Sequence, residues 1–411
     1  MKYLYILTLT LLIICDVCYG QAVLFDTLLK RGKAQFKQDL EKPDYNVAIN
    51  YLEKAVGINP GNAEAYYFLG YAYSRFNSPD AFSIPEMRMP LVLKASAALE
   101  KVNKLTPLYK GESVVLDPYS KITSEWGALA LCYFANNKRD SAVWAFKEGK
   151  KRGGFDEFIL SVNRTILNNC SKNSILVPSG DNFTFPLYYL QIIEKLREDV
   201  SVIDVSMLNT KWYPRLIERT TQIKFGMAAA TLDTVDYAPW ADSTISIPVF
   251  STDKKFTWVV KPSYQEKYIL RADRIFLSLL IENKFKRDVF FTKGLASDQQ
   301  LSLNNFLLSY VLLDKLNATN EPPDSNNLFI SRVENMVSTF KAVNPNSIDE
   351  LTPVDCIRSE IFGKLEGARQ ADWDEKSRGL MRLLKDYLPT NVYPCYSDDI
   401  KKWFDYYGLK Y

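Results

Sequence analysis

One stretch, residues 173–213, constrains the fold more than any other. Residues 174–178 form a short apolar run that ends in the turn Gly180-Asp181-Asn182. Phe185, Tyr188, Tyr189, Ile192, Ile193 and Leu196 then recur at i, i+3, i+4, i+7, i+8 and i+11. That spacing lays one apolar stripe along a helix. Thr184 is placed to cap this helix, and Pro186 falls in its first turn, where a missing N–H costs little. Residues 200–208 are a second apolar run, rich in β-branched side chains and closed by Asn209-Thr210. Strand, turn, helix and strand in this order predict a βαβ unit with parallel strands. Parallel strands bring both polar turns to the carboxyl edge of the sheet, where open α/β sheets take their ligands.

Upstream, a pattern of small and large apolar residues repeats. Ala48, Leu52, Ala55 and Pro60 match the second helix of a two-helix unit, and Tyr66, Leu69, Gly70 and Tyr73 the first helix of the next. Ala95, Leu99, Val102 and Pro107 repeat the second-helix spacing. Trp126, Leu129, Ala130, Tyr133, Ala142, Phe146 and Gly149 supply a fuller copy. The small residues let two helices approach, the large ones fill the gap, and the prolines end each helix. The period is roughly 34 residues. This pattern resembles the tetratricopeptide repeat family over residues 22–153, with insertions at 78–90 and 109–122. The resemblance implies a concave face that takes a protein or peptide partner. The same helices would equally serve as a scaffold for the domain that follows.

That domain runs from 173 to 316. A helix is expected over 212–220 and a β-hairpin over 243–250 and 255–260, inserted at the edge of the sheet. A further helix over 268–283 and a strand over 288–292 follow. Residues 306–313 fit a final strand, though their pattern alone also admits a helix. Residues 326–411 read as a helical tail, with helices at 328–343, 354–371 and 377–387. Trp403, Phe404, Tyr406 and Tyr407 make an aromatic terminus that either docks on the body or stays exposed for a partner. The predicted fold is α+α/β: tetratricopeptide-like repeats over 21–160, a Rossmann-like α/β domain with a β-hairpin insertion, and the helical tail.

Three segments of the α/β domain carry a second resemblance. Gly180, Asp181, Asn182, Thr184, Pro186, Tyr189 and Gln191 form the first, and Leu208, Asn209, Thr210, Trp212 and Tyr213 the second. Asn283, Lys286, Arg287 and Phe291 form the third. In order and spacing they resemble the soluble C-terminal region of a bacterial multi-spanning family. That family is related to protein O-mannosyltransferases and has a membrane-embedded GT-C type core. Asp288 stands where the family has proline, and Asp273-Arg274 where it has Lys-Asp. Sugar transfer in that family belongs to its membrane half, which has no counterpart in this sequence. The resemblance therefore implies an accessory or recognition domain rather than the transferase itself.

Composition narrows the chemistry. The 411 residues include 51 basic and 48 acidic side chains with no long basic stripe, so nucleic acid is not an expected partner. There is no histidine, which excludes Ser-His-Asp and Cys-His catalysis and His-ligated metal. The four cysteines beyond residue 20, Cys132, Cys170, Cys356 and Cys395, show no CxxC spacing, and neither a metal nor a cofactor is expected. Residues 1–20 read as a secretory signal, with Lys2, an apolar run over 4–14 and a cleavage site at Cys18-Tyr19-Gly20. No other stretch reaches about 18 apolar residues, so the mature chain is not expected to span a membrane. The expected location is the periplasm or outer cell envelope of a Gram-negative bacterium. An oxidising compartment would let Cys356 pair with Cys395; the alternative for these and for Cys132 and Cys170 is buried free thiols.

The predicted ligand-binding residues are Gly180, Asp181, Asn182 and Thr184 at the first turn, Asn209, Thr210, Trp212 and Tyr213 at the second, and Arg287. Unpaired N–H groups at the helix start suit a sugar or peptide hydroxyl, and Asp181 would repel an anion. Trp212 and Tyr213 would stack on a sugar face. The same residues also make good turns and caps. No catalytic residue is assigned. The expected function is recognition or scaffolding in the envelope, with protein or glycan partners. The alternatives are a carbohydrate- or glycopeptide-acting enzyme that uses Asp181, with Asp204 as its second acid, or an accessory subunit of a protein glycosylation system.

Overall fold

The computed structural model describes residues 21–37, 42–319, 321–369 and 375–410. The expected signal, residues 1–20, lies outside them. A helical array comes first: α1 (residues 21–33), α2 (Tyr45–Ile58), α3 (Ala63–Asn77), α4 (Met89–Leu105), α5 (Pro118–Ala135), α6 (Arg139–Lys151) and α7 (Glu157–Asn169). Side chains of Asp44, Asn62 and Asp117 accept backbone N–H bonds and so start α2, α3 and α5. Neighbours in sequence pack on one another from α2 through α6. Small residues set the approach: Gly70 lies against Leu99, and Gly149 against Trp126.

The expected parallel unit is present. It consists of β1 (Ile175–Val177), α8 (Asp181–Ile193) and β2 (Ser201–Val202), with Ile175 beside Ser201 and Leu176 beside Val202. Its details differ from the sequence reading. α8 begins at Asp181, not after Thr184, because Gly180 turns the chain at φ 77°, a conformation suited to glycine. Thr184 is inside the helix and buried. β2 stops after Val202, where Asp204 accepts bonds from Ser206 Oγ and Met207 N and winds the chain into a short turn over Ser206–Asn209.

α9 (Trp212–Thr220) and α10 (Ala229–Thr234) follow. β3 (Ala238–Pro239) pairs with β6 (Tyr268–Ile269), and β4 (Ser243–Pro248) with β5 (Lys255–Val260). The β4–β5 hairpin is as expected, but it forms its own small sheet instead of extending the main one. α11 (Arg271–Asn283) starts after β6, so Tyr268 and Ile269 are strand. β7 (Val289–Thr292) pairs in parallel with β1. Where one strand was expected, β8 (Leu307–Ser309) and β9 (Leu313–Leu316) form an antiparallel pair. The main sheet has the order β2-β1-β7-β9-β8.

The tail holds α12 (Asn326–Ser338), α13 (Thr352–Arg369), α14 (Glu375–Arg382) and α15 (Asp398–Tyr406). The end of the predicted 354–371 helix lies outside the described residues. The aromatic terminus docks: Trp403, Phe404 and Tyr407 surround Phe362, with ring centres 5.9, 5.3 and 5.8 Å away. Cys132, Cys170, Cys356 and Cys395 are all free, so the Cys356–Cys395 pair is not formed. One hydrophobic core runs from Ala48 in the array through the sheet to Phe404 in the tail. No helix among the described residues is long and apolar enough to cross a membrane.

The array meets the sheet where α5 packs on α8, and a methyl group at Gly127 would overlap the Phe185 ring. Gly57 in α2 has open space around the same position. In chemical denaturation Gly57→Ala should raise stability by up to about 1 kcal/mol through helix propensity. Gly127→Ala should lower it by about 1–3 kcal/mol through overpacking, although both replace a helical glycine.

Candidate functional site

The predicted ligand residues of the two polar turns come together, but their polar atoms face the protein. At the first turn, Asp181 Oδ2 accepts from Ser124 Oγ at 2.6 Å, and Asn182 Nδ2 donates to Ser120 Oγ at 3.1 Å. Both partners lie on α5, so the array covers this end of β1. Thr184 Oγ1 donates to Asp204 Oδ2 at 2.8 Å. Asp204 is buried, and burial pushes its carboxyl up despite the hydroxyls it accepts. Asp181 and Asp204 thus bond to different protein groups, and an open cleft between two acids does not form.

The second turn closes the same unit. Asn209 Oδ1 accepts from Ala272 N at 3.0 Å and so caps the first turn of α11. Thr210 Oγ1 donates to Met207 O at 2.8 Å and accepts from Tyr213 N at 3.3 Å. Trp212 Nε1 donates across to Ala81 O of the array at 2.9 Å. Tyr213 is fully buried, and its hydroxyl accepts from Asp204 N at 2.8 Å. It then donates to Tyr188 Oη at 2.6 Å, which donates to Val202 O at 3.2 Å. Burial holds both phenols well above their ordinary range, so this relay stays protonated.

Arg287 sits at the other, amino end of the strands. Its Nε donates to Asn173 O, and its Nη2 to Ser174 O at 3.1 Å and to Ser201 Oγ at 2.8 Å. It therefore ties the starts of β1, β2 and β7 together. Asn283 positions it through a paired contact with its backbone, at 2.8 and 3.1 Å. Arg287 is not near the Asp181 turn, and the nine predicted residues do not share one crevice.

The carboxyl edge is closed on its other side as well. Lys293, just after β7, reaches Asp314 of β9 at 2.5 Å and Glu360 of α13, and Ser309 Oγ donates to Glu360 at 2.6 Å. Burial works against the Lys293 charge, but the two carboxylates outweigh it and raise its pKa. The residues that sequence reasoning missed are these partners: Ser120 and Ser124 in an array helix, Tyr188, and Lys293. Gln191 also belongs here, since its amide donates to Arg197 O and Val200 O and closes the loop into β2.

The chain's own segment 339–351 crosses the face formed by α5 and α7. Thr339 bonds Thr165 at 2.7 Å, and Lys341 N donates to Ser161 Oγ at 2.9 Å. Ser347 Oγ and Asp349 N both donate to Asp117 Oδ2, at 2.7 and 2.9 Å. Asp117 N returns a bond to the Asp349 carboxyl. Among the described residues no group of His, Cys, Asp and Glu side chains is arranged to hold a metal.

Residues 160–230 match the family model described as TMEM260-associated domain 2. No curated protein matches the chain, and no solved structure does. The TMEM260-associated match spans most of α7, the whole β1-α8-β2 unit, α9 and the start of α10. It contains both polar turns and the Tyr188–Tyr213 relay. Arg287 lies outside it.

Two tests follow from these contacts. Arg287→Ala should lower stability by about 2–4 kcal/mol in urea unfolding, since it unties three strand starts. Arg287→Lys should recover only part of that loss, because an ammonium cannot reproduce the guanidinium fork. The second concerns Asp349, which burial and then the charge of Asp117 push up to about 6. Its pKa is thus higher folded than unfolded, so its ionisation opposes folding. That penalty is absent below about pH 4, grows through about pH 6 and is constant above. Asp349→Asn should therefore raise stability by roughly 1–3 kcal/mol at pH 8 and leave it unchanged near pH 4, read from denaturation curves at both pH values.

Proposed function

We propose that this chain is a non-catalytic recognition or scaffold protein of the bacterial cell envelope, acting beside protein glycosylation. The observation that carries this reading is the use of the motif residues. Asp181, Thr184, Asn209, Thr210 and Tyr213 direct their side-chain hydrogen bonds inward. Those bonds build a frame rather than aim acids at a substrate. The TMEM260-associated match and the resemblance to the soluble region of an O-mannosyltransferase-related family support the link to glycosylation. On this reading the array is tetratricopeptide-like and the parallel unit Rossmann-like, with export directed by residues 1–20.

Partner binding by the array then uses a side other than the one taken by 339–351. Phe82 and Trp144 are 60% and 40% exposed, and Met89, Tyr133 and Trp144 line a shallow groove on the array. Exposed aromatics of this kind serve a protein surface or a sugar face.

Purified mature chain should bind a defined subset of a glycan or glycopeptide array saturably and without product. Asp181→Asn should leave that affinity within about threefold, and Trp144→Ala should weaken it. Product formation abolished by Asp181→Asn would replace recognition with catalysis. Mass spectrometry of the exported chain should find Gln21 at its amino terminus.

A further inference from the structure

A cleft of about 450 Å³ runs along the outer edge of β2, where the array meets the sheet. Leu131, Phe134 and Arg139 form its array side, and residues 198–202 form one wall. The end of α9 closes the opposite wall, with Arg219 at its rim, and Arg287 lines it from the amino ends of the strands. β2 is an edge strand of the main sheet. An open edge invites another strand. Here the carbonyls of Val200 and Val202 already accept from Gln191 Nε2 at 2.7 Å and Tyr188 Oη at 3.2 Å. An added strand would find these acceptors taken.

Charge gives the cleft its character. Its two acids have cations of their own: Asp199 pairs with Arg197 at 2.8 Å, and Glu198 with Lys195 at 3.5 Å. Its arginines have no carboxylate partner among the described residues. Arg219 donates Nη2 to Phe134 O at 2.7 Å, and Arg139 is exposed. Arg287 spends Nε and Nη2 on backbone and Ser201, which leaves Nη1. The charge of Asp199 only partly offsets the burial that pulls the Arg287 guanidinium pKa down. A guanidinium binds carboxylate and phosphate through planar N–H pairs. Phe134 and Leu216 add an apolar surface beside these groups.

The geometry points to a binding site for a small organic anion in this cleft. A carboxylate or phosphate-monoester head lies between Arg139, Arg219 and the free edge of Arg287, and an apolar body lies against Phe134 and Leu216. The site does not rest on the partner-binding reading above: it lies at the β2 edge and would hold even if the array bound nothing.

Isothermal titration of the full mature chain tests it with phenyl phosphate, benzoate, inorganic phosphate and benzyl alcohol. At least one organic anion should bind, at least about tenfold more tightly than benzyl alcohol. The affinity should weaken as salt rises. A preference for phenyl phosphate marks a phosphate site, and a preference for benzoate a carboxylate site. Arg139→Gln with Arg219→Gln should cost about tenfold or more in affinity with cooperative unfolding retained and only a small drop in melting temperature from the lost, exposed Arg219–Phe134 bond. The inference is overturned if no anion binds at about 10 mM, if only inorganic phosphate binds, if benzyl alcohol binds equally, or if the double variant binds like the parent.

Discussion

Helix α5 has no exposed residue, and the surrounding structure is arranged around that enclosure. A buried helix with an apolar surface needs only packing. This one carries Ser120, Lys121, Thr123, Ser124 and Glu125 into the interior, and each brings a desolvation cost of its own. The partners come from every direction. Lys121 pairs with Glu125 at 2.6 Å, and Ser74 of α3 donates to the same carboxylate. Thr123 accepts from Phe155 N at 2.8 Å, and Ser124 donates to Asp181 of α8. Asp117, at the helix start, holds Ser347 and Asp349. Array, sheet and tail therefore share one core because one polar helix requires all of them.

The motif segments take on a different meaning in that setting. Gly180-Asp181-Asn182 and Asn209-Thr210 have the chemistry of a ligand turn, and the same chemistry makes turns and caps. What decides between the two is whether another element is near enough to accept the bonds. At Asp181 the α5 serines are, and at Asn209 the first turn of α11 is. Arg287 does comparable work at the opposite end of the strands, where its guanidinium replaces the hydrogen bonds that short strands cannot make. Strands as short as β1 and β2 gain little from their own ladder, so side chains hold their ends in register.

Local pattern was enough to read much of this fold. The parallel β1-α8-β2 unit, the β4–β5 hairpin and most helices followed from periodicity and turn residues, which act within a few positions of one another. The starts of elements were harder. Thr184 has the right side chain for a cap, but Gly180 reaches a conformation that ends the turn first, and the hydroxyl goes to Asp204 instead. Cys356 and Cys395 invited a pairing that the fold does not make. The site was less legible still. Ser124 and Asp181 are 57 positions apart, and Ser347 and Asp117 are 230 apart. No window of sequence relates such residues, and only the packed structure tells which polar groups are spent and which remain free.

The segment 339–351 also governs the order in which the molecule can be completed. The helices it covers are made first, with Asp117, Ser161 and Thr165 bonded within their own helices, and the contacts these residues make to the tail form only when residues 339–349 arrive. Closing so long a loop is slow compared with forming the helix pairs. During synthesis the amino-terminal half must wait with one polar seam unfinished, exposed to water and to other chains. A truncated product that ends before this segment would keep its packed helices and lose the polar seam that ties the tail to them.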